Sequence, residues 1–490
     1  MHFPILFRLL SSIIWVLTAS FALCLTVALH FGHDLTAAVR GFGISIAISI
    51  TLGTLLRVLG RGAHPRLFRK EALCLIGIGW LLASLLGALP YLLILPDCHP
   101  VDALFESVSG FTTTGATVMI DYEHLLPPSL LFWRSLSQWI GGLGVVVLFV
   151  AIVSNLGAGA KVLFSNESSG QSADIDDSSI NQGAKRIMLY YLALSALCFA
   201  SYWIAGLSWF DALCHMATTV STGGFSTINA GVPGFENPAL EWCMIVFMFW
   251  GGFSFLLVLK YLRNGWQAHK HGLEGRVYTL IVISATLLIM VLTPASPDSA
   301  GLQERLRDAA FQVITILTTT GYATENFALW NAPAKWILLL LMVIGGCSSS
   351  TAGGVKVIRV IAAFRIAAQS IEKTFRVHVV RPLRLNGRVL DDGARDALTC
   401  FLILTGLVLF AGILGFSLLE PDLDIETGLS AVFACQFNIG PGLGAVGPME
   451  TFAFLHAPTK LGLCLLMLLG RLEIYALLVL FSPSIWRKFS

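Results

Sequence analysis

Ten apolar stretches, each about as long as a helix needs to be to cross the ~30 Å hydrocarbon core of a bilayer, decide what this chain can fold into. They fall at residues 5–30, 39–60, 72–95, 132–156, 186–206, 240–262, 276–293, 333–371 (interrupted), 396–419 and 459–482. With 56% hydrophobic and 12% charged residues, too few charges remain to cover so much apolar surface in water. Lipid is the solvent, and spans of this length are helices because a helix satisfies its own backbone polar groups. The first stretch, Phe3–Leu29, is too long for a signal-peptide core and is expected to remain as a span. The cysteines sit inside apolar runs without paired spacing, so neither a disulfide framework nor a metal cluster is expected.

Charge assigns the sides. One set of connections carries Arg57, Arg61, Arg66, Arg69, Lys70, Lys161, Lys185, Arg186, Lys260, Arg263, Lys270 and Arg276. It continues through Lys356, Arg359, Arg365, Lys373, Arg376, Arg381, Arg384, Arg388 and Arg395, with Arg8, Arg487 and Lys488 at the ends. The other set is poor in lysine and arginine and holds Asp121, Glu123, Glu236, Glu325, Asp422 and Asp424. By the positive-inside rule the first side is cytoplasmic, and an even number of crossings puts both termini there.

The connections on the opposite side repeat one short text at a period of about one hundred residues. Asp102 leads to Thr112, Thr113, Thr114 and Gly115; Asp211 leads to Val220, Ser221, Thr222 and Gly223; Asp308 leads to Thr318, Thr319, Thr320 and Gly321. A weaker fourth copy runs from Glu426 to Phe437, Asn438, Ile439 and Gly440. Each apolar segment before these turns is about half the bilayer thickness as a helix. An acid near its start suits the positive end of the helix dipole, and the negative end then points at the membrane centre, where it favours a cation. The chain must climb back out as non-helical backbone, tolerated at that depth only where it lines a watery cavity. Glycine frees the backbone angles that aim carbonyls at an axis, and four such turns would form carbonyl rings able to replace a cation's hydration shell. The architecture expected is an all-α integral membrane protein with four pseudo-symmetric span–half-span–span repeats around a central pore, preceded by two N-terminal spans. The units are 1–65 (the N-terminal pair), then repeats at 66–160, 161–270, 271–385 and 386–490.

The second span of each repeat carries Gly141-Gly142, Gly251-Gly252 and Gly345-Gly346; in the fourth, Gly470 is followed by Arg471. A charge deep in an apolar run is expensive and functional by default, and Glu473, two residues on, is badly placed to pair with it on a helix. Arg471 is therefore expected to form an electrostatic barrier in the path and to touch the interrupted segment of the third repeat. That segment, Gly345, Gly346, Cys347, Ser348, Ser349, Ser350, Thr351, Ala352, Gly353 and Gly354, is a poor helix former and reads as a gate, with Lys356 anchoring it at the cytoplasmic interface. Glu106, His215, Gln312 and Gln436 in the half-spans are expected to support the turns from behind by hydrogen bonds. The acidic stretch Ser165–Ser179 reads as a cytoplasmic loop.

These motifs resemble the Trk/Ktr/HKT superfamily of cation transporters, most closely its TrkH-type branch of bacterial potassium uptake proteins. The resemblance rests on Ser109–Gly115, Ser221–Ser226, Leu317–Gly321, Phe437–Gly442, the 345–354 segment and Gly470–Glu473, and covers nearly the whole chain. It implies that the four turns bind K+ as a selectivity filter, that 345–354 is an intramembrane gate and that Arg471 lies beneath the filter. It also implies a homodimer in the bacterial inner membrane, contacted by lipid and regulated by a cytosolic TrkA-type nucleotide-binding protein. Proton- or sodium-coupled symport on the same scaffold is the alternative transport mode. No organic cofactor or nucleic acid is called for. A membrane enzyme would need a compact polar set in one cavity, and ATP-driven pumping a phosphate-binding loop; the sequence has neither.

Overall fold

The computed structural model describes residues 2–32, 35–62, 69–155, 177–265, 272–293, 301–376, 384–385 and 388–486. Residues 165–176 of the expected acidic loop lie outside these, as do Arg66, Lys161, Lys270, Arg381, Arg487 and Lys488. The described residues form an all-helical membrane fold, with one short antiparallel pairing of Arg384–Leu385 with Arg388–Val389. Six helices are long and apolar enough to cross a membrane, or up to eight if each of two bent pairs is one span.

After the N-terminal pair, Phe3–Phe31 and Leu35–Leu59, each repeat supplies an outer helix, a short pore helix and an inner helix. In repeat one these are Arg69–Ile94, Pro100–Phe111 and Pro128–Asn155; in repeat two, Asp177–Ile204, Trp209–Val220 and Pro238–Gly252. In repeat three they are Leu273–Leu292, Leu302–Leu317 and Ala332–Ile344; in repeat four, Asp392–Leu419, Ile425–Gln436 and Ala457–Arg471.

Local sequence explains where the inner helices begin. Proline opens the first turn in all four, where its missing N–H costs nothing. Asn237 and Asn331 cap the second and third, accepting from Leu240 N at 3.2 Å and from Ala334 N at 3.0 Å. The same amides donate back to the ends of their own outer helices, Asn237 to Ala205 O at 2.6 Å and Asn331 to Leu292 O at 2.5 Å. One cap residue thus fixes the angle between two helices. In repeat four Glu420 takes over, accepting from His456 N at 2.8 Å and Thr459 Oγ1 at 2.7 Å.

Three inner helices are broken, not one. The interruption at 345–354 is present, separating Ala332–Ile344 from Val357–Phe375. The stretches 240–262 and 459–482, expected as straight spans, bend by 93° and 113°. In repeat two the helix stops after Gly251-Gly252, and Ser254 caps a new one by accepting from Leu257 N. In repeat four the break carries no glycine. Glu473 and Ile474 take left-handed backbone angles of φ 53° and 65°, an unfavourable conformation for a branched side chain. Tertiary contacts hold it there: Ile474 is buried and Glu473 pairs with Arg359 across 2.6 Å.

The N-terminal pair packs on repeat one in its own apolar cluster, with Phe21 against Trp133 at 4.7 Å. Trp133 is fully buried, donates to Gly87 O at 3.0 Å and also meets Phe111 at the end of the first pore helix. One indole therefore ties together the N-terminal pair, the outer helix and the pore helix. Trp133→Ala should cost about 3–5 kcal/mol of stability, as deletion of a buried aromatic does, read as a lowered unfolding temperature in detergent.

Candidate functional site

Three pore helices span 12 residues and the third 16, so the shorter ones reach about 18 Å. Three of the four starts carry a side-chain cap, and the third, at Gly301, carries none. Asp102 stands in the first turn behind a His99 cap, and Asp211 stands behind Ser208, whose Oγ accepts from Asp211 N and donates to Asp211 Oδ2. Asp308 lies inside a longer helix that begins at Leu302; Asp424 caps the fourth.

Each pore helix ends in the same backbone figure. A non-glycine residue adopts a left-handed conformation, and two residues later a glycine does: Thr113 and Gly115, Thr222 and Gly224, Thr319 and Gly321, Asn438 and Gly440. Four strained positions in one register mark a built feature. They also correct the sequence register of repeat two, whose left-handed glycine is Gly224 and not Gly223. The turn there is Ser221, Thr222, Gly223 and Gly224, with Val220 still in the helix. The double glycine made the two readings look alike.

The four turns close a ring. A Cβ on Gly115 would collide with the carbonyl oxygen of Gly223, one on Gly224 with that of Thr320, one on Gly321 with that of Ile439, and one on Gly440 would crowd that of Thr114. Glycine is required here because each turn lies backbone against backbone with the next. Outside the ring, a cavity of about 140 Å³ is lined by all four of these glycines.

Side chains and backbone both tie the seam between repeats four and one. Asn438 Nδ2 donates to Thr114 Oγ1 at 3.0 Å, Lys460 pairs with Asp102 at 2.7 Å, and Phe452 N donates to Thr117 O at 2.8 Å.

Behind the ring, one polar side chain per pore helix holds the returning strand. Glu106 accepts from Val118 N at 2.8 Å and bonds Thr117; His215 bonds Ser226 Oγ at 3.1 Å; Gln312 bonds Thr324 Oγ1 at 3.1 Å. In repeat four Ser430 serves, accepting from Leu443 N at 2.7 Å. Gln436, expected in this role, is instead the last residue of its helix, and its carbonyl closes on Gly470. Glu106 alone is a carboxylate, and it forms a fully buried ion pair with Arg134 at 3.2 Å. Arg134 lies near the start of an inner helix, among the few basic residues on the lysine- and arginine-poor side of the chain. A burial-compatible partner such as Glu106 lay in another segment, and no local signal joins the two.

Beneath the ring lies the segment 345–354. Thr351 Oγ1 donates to Val220 O at 3.0 Å and to Gly251 O at 3.1 Å, Gly353 N donates to Thr319 Oγ1 at 2.6 Å, and Gly353 abuts the carbonyl of Phe437. The segment so touches repeats two, three and four. Arg471 completes the circuit: its guanidinium donates to Thr351 O at 2.7 Å and to Gly141 O of repeat one at 3.4 Å. Arg471 is 4% exposed and stands clear of Glu473, which pairs with Arg359. Lys356 does not reach outward as an interfacial anchor. Its ammonium turns back and donates to Ala352 O, closing the segment on itself.

Two residues that sequence reading passed over hold the segment from outside. Glu274 accepts from Ser348 N at 2.6 Å, Ser348 Oγ at 2.7 Å and Ile358 N at 3.3 Å. Ser254 bonds Ser349 Oγ at 2.9 Å, so the bend in repeat two and the break in repeat three support each other.

Fold and site together define a four-repeat membrane protein of the cation-transporting class: half-membrane helices aim their negative ends at a ring of backbone turns, with a chain segment and an arginine below. The chain belongs to the TrkH family, whose model, described as a cation transport protein, matches residues 39–271 and 276–488. The Trk system potassium uptake protein TrkH of Halomonas elongata is 32% identical over 491 residues, covering 100% of both chains. Its namesake in Escherichia coli is 31% identical over 496 residues, again covering 100% of each. The crystal structure of the potassium transporter TrkH from Vibrio parahaemolyticus superposes with a TM-score of 0.89 at 30% identity, covering 99% of this chain and 100% of that one.

Gly224→Ala should abolish ion flux, because the new methyl meets the Thr320 carbonyl in a left-handed backbone. Flux assays on the purified variant check this, and retention of wild-type flux would place the essential glycine elsewhere.

Proposed function

We propose that this protein carries K+ into the cell across the bacterial inner membrane, through a filter made of the four turns and gated from below by residues 345–354 and Arg471. The observation that supports this most is the closed ring of four left-handed glycines between an outer cavity and a protein floor. Relatives across the full length are named potassium uptake proteins. In this reading Thr112–Gly115, Ser221–Gly224, Thr318–Gly321 and Phe437–Gly440 supply oxygens that replace water around the ion, while pore-helix dipoles favour its charge. The termini and the arginine- and lysine-rich connections face the cytoplasm. The repeats are those assigned from sequence, and the working unit is a homodimer with a cytosolic nucleotide-binding regulator of the TrkA type, which the Trk system name of the relatives accommodates.

Arg471 acts as a latch and an electrostatic barrier: while it holds Thr351 and Gly141, the segment stays under the ring and a positive charge faces the path. Arg471→Ala should raise basal K+ flux several-fold in proteoliposomes, and a variant equal to wild type in rate and regulation would remove the arginine from the mechanism. Deleting part of 345–354 should also raise basal flux; unchanged flux in a folded variant would count against a gate. The transport assignment itself is tested by growth at low K+ of a strain lacking its own K+ uptake. Rescue is expected, and failure of a well-expressed protein would overturn it. Reversal potentials that follow pH or Na+ would instead point to coupled transport.

A further inference from the structure

The four turns are not equal, and the difference lies at their third position. Thr114, Thr320 and Ile439 place a side chain there; repeat two has Gly223. Thr114 and Thr320 each bond the first threonine of their own turn at 2.8 Å, and Ile439 is fully buried. Repeat two has no such side chain, and a Gly-Gly pair is the least restrained backbone available.

The missing contact comes from the neighbouring repeat. Gln138, on the inner helix of repeat one and fully buried, donates through Nε2 to Gly223 O at 2.8 Å and accepts through Oε1 from Phe225 N at 3.2 Å. Both ends of the amide are satisfied only in this orientation. A Cβ on Gly223 would collide with the Gln138 carboxamide, so that group fills the volume left by the absent side chain. One turn earlier on the same helix Arg134 donates to Ser226 O at 3.3 Å, and its guanidinium stacks 4.1 Å from the Phe225 ring. Counted back from the paired glycines, the places of Gln138 and Arg134 hold Met248 and Met244 in repeat two, Met342 and Leu338 in repeat three, and Met467 and Leu463 in repeat four. The polar pair occurs beside the one turn that needs it.

We infer that Gln138 is a positioning residue that sets ion discrimination by fixing the repeat-two strand 223–226 within the ring, in the place of the side chain Gly223 lacks. This rests on the reading of the ring as a K+ filter. Selectivity requires the four turns to hold a spacing that suits one ion, and a strand free to shift would admit a smaller cation.

The test uses the full-length protein in liposomes, with K+ and Na+ flux measured on the same preparation. Gln138→Met, the residue of the other repeats, and Gln138→Glu, which retains the acceptor for Phe225 N, should each lower the K+ over Na+ ratio about fivefold, the scale of one lost hydrogen bond. Gly223→Ala should reduce K+ flux, and adding Gln138→Ala should restore part of it by vacating the volume. An unchanged ratio in either single variant, even with less protein or a lower unfolding temperature, would assign Gln138 to the fold alone and overturn the inference. Failure of Gln138→Ala to relieve Gly223→Ala would overturn the pairing. A wild type that passes neither ion would overturn the transport reading, and this inference with it.

Discussion

Backbone polar groups at the middle of a membrane must find partners within the protein, and nearly every feature of this structure answers that demand. Four chain segments leave helical geometry at half depth and a fifth does so beneath them, so each carbonyl and amide set free there has to be met by another part of the molecule. The carbonyls released by the bend after Gly251-Gly252 are taken up by Cys347 and Thr351 of the broken third repeat. The strands returning from the ring are held by Glu106, His215, Gln312 and Ser430. Irregular backbone here is a network in which each break supplies what its neighbour lacks.

That network explains why the repeats have drifted apart in chemistry while keeping one backbone figure. Glutamate, histidine, glutamine and serine all reach the returning strand from the pore helix, because the geometry asks only for a polar atom at that place. Glutamate brought a charge into the interior, and Arg134 compensates it inside the protein, consistent with the cost of an unpaired buried ion. A ring made from four separate copies would have to repeat every such change fourfold. A single chain can alter one quarter at a time.

Much of this was legible in the sequence, and what was not has common causes. Spans, half-spans and the Thr-Gly turns follow from hydrophobic length and internal repetition, both local properties. The cost of its charge singled out Arg471, and its hydrogen bond to Thr351 O is the expected contact with the 345–354 segment. The bends at Phe253 and Glu473 are not legible from hydrophobic length, because the apolar runs resume beyond Gly251-Gly252 and beyond Arg471 and Glu473, and tertiary partners hold those angles. Gly223 and Gly224 could not be told apart because register is a backbone property and both residues offer the same side chain. Lys356 was expected to reach toward water, yet its ammonium finds a carbonyl four residues back, within its own segment.

The seam between repeats four and one carries a further meaning. Elsewhere around the ring, adjoining repeats follow one another in the chain, so the peptide backbone itself keeps neighbours together. Here the two partners lie far apart in the polypeptide, and Lys460 meets Asp102 across 358 positions. The circle is open covalently and shut by noncovalent contacts, the Phe452 N to Thr117 O bond among them. Its last join must therefore form after synthesis of the fourth repeat, so the ring is completed as one of the final acts of assembly.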